Sequence, residues 1–200
     1  MARSVKTYNT MLVLSAAAAA SRTQKDVPAE KANRKSLMIE YLERTDEILD
    51  VDRQLADNIK AYFDRKTFKI IAGGYVGNFE REAMKALNEE ETTAYKFGLI
   101  ATLPGVYQSG IERERNEVAL KQATGGYIGK IGDRVELKIT VKKCIFSRNY
   151  CIYFINALTE NDEAVFFSFK EDVPVGTVMQ IKGTVKAHRD NSTQLNRVRV

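Results

Sequence analysis

Apolar and polar positions alternate with a period of two through most of the chain after Gly125, and with a helical period before it. Val135, Leu137, Ile139 and Val141 interleave with Glu136, Lys138, Thr140 and Lys142, which predicts a strand with one apolar face. Tyr150–Leu158 is rich in β-branched and aromatic residues that fit a pleated surface. Ser147, Arg148 and Asn149 supply the polar turn before it. A third strand, Ala164–Lys170, follows a turn at Glu160, Asn161 and Asp162, so the second and third strands should form a hairpin. After Pro174 and Gly176, a fourth strand places Met179, Ile181, Gly183, Val185 and Ala187 on one face. Gln180, Lys182, Thr184, Lys186 and His188 are expected on the other. Gly183 in mid-strand suggests a bend or bulge. The polar loop 189–192 leads to a last strand, Thr193–Val200. Five short strands with turns between them predict a small barrel.

Upstream the pattern is helical. Asp26 and Pro28 suit a helix start, with Pro tolerated in the first turn. Leu37, Tyr41, Ile48, Leu55, Ile59 and Tyr62 recur at helical intervals, with Thr45-Asp46 or Asp50 as a cap for a second helix. Gly73-Gly74 ends this stretch. Asn78 is expected to cap a helix through Leu87, and Asn88-x-x-Glu91 resembles a capping box for another. Pro104-Gly105 is expected to break the pattern before a last charged helix over 111–122. The fold class expected is therefore α+β: an N-terminal helical domain, 1–124, followed by a C-terminal five-stranded OB-like β-barrel, 125–200.

Near the start, Arg3 and Lys6 precede Met11-Leu12-Val13-Leu14 and Ala16–Ala20, a combination that mimics a secretory signal peptide. A short alanine-rich helix packed on its neighbour is the preferred reading, since alanine is the strongest helix former. No apolar run reaches the roughly 18 residues that span a membrane. A cytoplasmic location (host-cell cytoplasm for a viral protein) is the expectation, with no membrane partner.

Charge sharpens the division. The chain carries 31 Lys and Arg against 26 Asp and Glu. Residues 125–200 hold 12 and 8 of these, so most of the excess positive charge sits in the smaller segment. Its acids cluster in predicted loops, at Glu160, Asp162, Glu163, Glu171 and Asp172. That leaves Lys138, Lys142, Lys182 and Lys186 on strands, where a cationic face attracts phosphate by charge and counterion release. Lysine is also the ordinary outward residue of an edge strand.

Aromatic residues divide by strand parity. Phe167 and Phe169 share a face with Val165 and belong in the core, whereas Phe166 shares its face with Ser168 and Lys170. Tyr150 and Phe154 face one way and Tyr153 the other, with apolar neighbours on both sides, so sequence leaves open which side is inside. An exposed ring can stack on a base.

Gly-Tyr-Ile-Gly (126–129), Gly132 through Val141, Lys182-Gly183-Thr184-Val185-Lys186-Ala187-His188, and Thr193-Gln194-Leu195-Asn196-Arg197-Val198 together resemble the C-terminal OB-type module of bacteriophage replication proteins. The resemblance covers the last third of the chain and implies a five-stranded barrel associated with DNA transactions. With the basic face, it nominates Lys138, Lys142, Tyr150, Phe166, Lys182, Lys186, His188 and Arg197 as contacts. The function expected is a single-stranded nucleic-acid-binding accessory protein, for DNA in phage replication or recombination. The alternative is a structural or interaction protein whose helical domain docks a replication or virion protein; oligomerisation is open under either.

Catalysis is not expected. The chain offers no nucleophile–base pair, metal-ligand set or cofactor loop, and Glu89, Glu90 and Glu91 read as a solvated helix start. Two cysteines and one histidine fall short of a zinc site. Cys144 and Cys151 flank the first barrel turn, where they would bridge in an oxidising compartment and stay reduced in cytoplasm. Gly73-Gly74-Tyr75-Val76-Gly77 and Gly125-Gly126-Tyr127-Ile128-Gly129 echo one another, but neither runs into Gly-Lys-Ser/Thr, so neither is a P-loop.

Overall fold

In a computed structural model, residues 6–24, 33–124 and 126–200 are described, Lys69 without its side chain. Asp26 and Pro28 lie outside the described residues. The chain divides into two compact units, Met1–Gly110 and Ile111–Val200. N-terminal helices precede a closed five-stranded C-terminal barrel, so the class is α+β.

In the first unit, β1 (Thr7–Asn9) pairs antiparallel with β2 (Glu91–Thr93). Helix α1 (Thr10–Thr23) starts where the Asn9 side chain accepts the Leu12 N–H at 3.0 Å. It is buried from Val13 through Ala20, and its methyl side chains let α2 (Arg34–Glu43) and α3 (Asp50–Ile71) pack closely on it. The alanine run is thus a packed helix. Arg22 near its end makes two 3.0 Å bonds to the buried carboxylate of Asp52, which also accepts the Leu49 N–H at the start of α3. One carboxylate therefore caps α3 and ties it to α1.

Two helix boundaries differ from expectation. Glu91 belongs to β2 rather than to a capping box, because Thr92 and Thr93 pair with Tyr8 and Thr7. Thr92 is buried there, and β-branched residues favour that geometry. After α4 (Asn78–Asn88), helix α5 runs unbroken over Phe97–Lys121, straight through Pro104. A proline inside a helix costs about 3 kcal/mol. Burial of Phe97, Ile100, Leu103 and Pro104 itself offsets that local penalty. No helix among the described residues is long and apolar enough to cross a membrane.

The second unit is the barrel. Its strands are β3 (Arg134–Ser147), β4 (Ile152–Thr159), β5 (Ala164–Phe169), β6 (Val178–Arg189) and β7 (Ser192–Arg199). They close in the order β3-β4-β5-β7-β6, every neighbour antiparallel except β5 with β7. This is the Greek-key arrangement of an OB-like barrel. Ile139, Val141, Ile155, Phe167, Ile181, Val185 and Leu195 fill the interior.

Bulges interrupt the alternation at three places. Lys142 is an extra residue against β4, since Val141 faces Ala157 and Lys143 already faces Asn156. Lys186 is extra against β7, and Arg197 with Val198 stand opposite the single residue Gly183. Arg197 takes up its bulge with φ +52°. A Cβ at Gly183 would fit tightly, meeting Val198 and Leu195 at 3.3–3.4 Å. The two-residue β6–β7 turn, Asp190-Asn191, has positive φ at both residues, as a type I′ hairpin needs. Before β3, the Ile128 N–H donates to the buried Thr193 hydroxyl at 2.9 Å, and Ile128 packs on the core.

Candidate nucleic-acid interface

The register decides which side chains share the outer face of β4 and β5. Inward Ile155, Ala157, Val165 and Phe167 are buried, which leaves Phe154, Asn156, Phe166 and Ser168 outward. The rings of Phe154 and Phe166 are stacked, and Tyr150 in the preceding turn meets Phe154 edge-on, with 6.3 Å between ring centroids. Tyr150 is 70% exposed. Three rings thus run along one face.

The bulge at Lys142 extends this face onto β3. Beyond it, Lys143, Ile145 and Ser147 lie opposite Asn156, Phe154 and Ile152. Half-exposed Ile145 therefore lies beside Phe154, while Phe146 turns to the other side and meets Tyr153 at 5.0 Å. Lys143 forms an ion pair with Glu117 of α5 at 3.4 Å.

At its other end the aromatic run opens into a groove of about 590 Å³ lined by Asn156, Phe166, Gln194 and Asn191, with Lys121 and Arg189 as its cations. The end of α5 and the residues after it form one wall. Ala119, Leu120 and Ala123 pack on Leu158 and Ala164, and the Asn191 amide donates to the Ala123 carbonyl at 3.4 Å. Amide side chains and two cations in the trough, with the stacked rings leading into it through Phe166, can contact base edges, phosphates and base faces respectively.

Only Tyr150 and Phe166 among the sequence candidates lie on this face. Lys138 is paired with Glu160 at 2.6 Å, and Lys182 with Glu136 at 3.1 Å. Glu160 lies in the turn where it was expected and Glu136 on the strand face where it was expected, yet each reaches a strand lysine. Lys142 and Lys186 are bulge residues, and the alternation shifts by one after each of them. His188 is displaced by the Lys186 bulge to the inward row opposite Thr193. There its ring lies 4.5 Å from that of Tyr127, tilted by 36°, with its Nδ1 buried and unbonded among the described residues. Arg197 and Lys182 belong to a different concavity, of about 350 Å³, shared with Arg134, Arg199 and Glu136.

Sequence reasoning missed Lys121, Lys143, Asn156, Arg189 and Gln194. One signal was present: β4 has apolar residues on both faces, more than a single core uses. Cys144 and Cys151 are both free, and Cys144 lies opposite Ile155 rather than near Cys151. Burial raises the Cys144 thiol above its ordinary pKa; the Val173 backbone opposes this and the Asp172 carboxylate reinforces it. No group of three or more metal-ligating side chains occurs among the described residues. Comparison with protein-family models, curated proteins and solved structures finds no match to this chain.

Proposed function

We propose that the protein binds single-stranded nucleic acid across the outer face of β4 and β5. The observation that carries this reading is the stacked Phe154–Phe166 pair, set between the exposed Tyr150 and a groove holding Lys121 and Arg189. In OB-like barrels the face of the second and third strands, with the loops beside it, is the usual place for an oligonucleotide. Bases stack on the rings, Asn156 and Gln194 contact base edges, and the two cations follow the backbone. DNA as the strand, and a role as an accessory protein in phage replication or recombination, rest on the resemblance of residues 126–198 to phage replication modules. No catalytic step is included.

The test is fluorescence anisotropy with a labelled oligonucleotide at several salt concentrations, single strand against duplex. Binding should favour the single strand and weaken with salt. Absence of binding at low salt overturns the reading.

A second reading, an interaction protein that docks a replication or virion component through its helices, draws on one observation. Phe68, Ile71 and Tyr75 are 72%, 76% and 82% exposed around the end of α3, with Phe79 partly exposed at the start of α4. Clustered exposed apolar side chains are a common mark of a protein contact. A stable complex or oligomer in light scattering, without oligonucleotide affinity, would favour it.

A further inference from the structure

Strand β7 links two different surfaces of the barrel. Its first half contributes Ser192 and Gln194 to the groove beside Phe166. Its second half contributes Arg197 and Arg199 to the smaller concavity, where Arg134 and Lys182 join them. Asn196 lies exposed between. Gln194 and Arg197 are three residues apart, about 10 Å along a strand.

The bulge creates this second surface. Leu195 points into the core, so strict alternation would send Arg197 and Arg199 inward as well. The extra residue restores Val198 to the core and turns both arginines outward, with Arg199 directly opposite Lys182. Left-handed backbone at a non-glycine residue is a local cost that the surrounding structure must hold in place. Four cations surround one carboxylate, Glu136, which is paired with Lys182. Arg134, Arg197 and Arg199 have no ion pair among the described residues, so they remain available to an anion.

We infer that this basin is a second phosphate-binding surface for the same strand, which leaves the aromatic groove along β7 and lays its backbone against Arg134, Arg197 and Arg199. The inference rests on the proposed single-strand binding. It extends that reading by making the footprint longer than the aromatic face and by assigning contacts to Arg134 and Arg199. The ligand chemistry is the phosphodiester backbone, without base recognition, because guanidinium groups dominate the basin and no ring lines it.

Length dependence tests this on the full chain. Single-barrel footprints range over roughly 4–16 nucleotides, so labelled oligothymidylates of about 4 and about 12 nucleotides sample the groove alone and the groove plus basin. The wild type should gain affinity and salt sensitivity on lengthening. The double variant Arg134→Gln/Arg199→Gln should lose that gain, and its salt slope on the longer strand should be shallower by about 1.4. A single variant, Arg199→Glu, should reduce the gain in the same direction. Both arginines are exposed, and far-ultraviolet circular dichroism checks that each variant stays folded. An unchanged length gain and slope in folded variants overturns the basin while leaving the groove intact. Failure of the wild type to bind either length overturns the single-strand reading itself, and the basin with it.

Discussion

Phe154 and Phe166 lie side by side on the outer surface of the barrel, their ring centroids 5.7 Å apart and their planes 23° from parallel. They sit on neighbouring strands in adjacent rows, with Asn156 opposite Phe166 and Ser168 opposite Phe154. The pair makes a continuous apolar floor that a base can cover. Replacing Phe166 with alanine should weaken oligonucleotide binding by about 1–3 kcal/mol, roughly 5- to 150-fold, in anisotropy titrations. Retained affinity in a folded Phe166→Ala protein would move the site off this face.

Adjacent lysines should behave differently. Lys143 shares the outer row with Asn156, whereas Lys142 is the bulged residue before it. Lys143→Gln is expected to make the salt slope of single-strand binding shallower by about 0.7, the share of one phosphate contact. Lys142→Gln should leave it closer to the wild-type value. Because Glu117 competes for the Lys143 amine, Glu117→Gln should strengthen binding at low salt.

Gly110 offers a stability test. Glycine within a helix ordinarily gains about 1 kcal/mol on replacement by alanine. Here an added Cβ would lie 2.2 Å from the Tyr62 hydroxyl oxygen and 2.8 Å from its ring carbon, and Tyr62 is buried. Overpacking should outweigh propensity, so Gly110→Ala should destabilise the protein by about 1–2 kcal/mol in thermal or denaturant unfolding. A stabilised variant would show that Tyr62 moves aside freely.

The two thiols should separate by reactivity. Cys151 is exposed in the β3–β4 turn, while Cys144 is partly buried with a raised pKa. Thiolate is the reacting form, so below about pH 8 iodoacetamide should label Cys151 first, with Cys144 catching up as pH rises. Peptide mapping by mass spectrometry reads the order directly.

All five barrel strands were legible because each is bounded by turn residues and marked by alternation or, in β4, by a run of β-branched and aromatic residues. The core aromatics Phe167 and Phe169 followed from the same alternation. The face was harder. Alternation carries parity only as far as the next bulge, and nothing local distinguishes Lys142 or Lys186 from an ordinary strand lysine. His188 was misplaced for that reason. The cationic row dissolved for another: Glu160, just past the end of neighbouring β4, pairs with Lys138 on β3. In the helical unit, Pro104 carries a real local penalty, but burial of its neighbours is invisible to a reading of breakers alone. Glu91 likewise obeyed a long-range strand partner, Asn9, rather than its own capping pattern.

The bulge at Lys142 lets β3 carry one residue more than the stretch of β4 opposite it without exchanging the faces on either side. Loss of that one codon would leave a regular ladder, with Val141 still opposite Ala157 and Lys143 and Ile145 still opposite Asn156 and Phe154. A barrel built with such bulges can gain or shed single residues at them and keep the same exterior surface, a mutational route separate from changing its side chains one at a time.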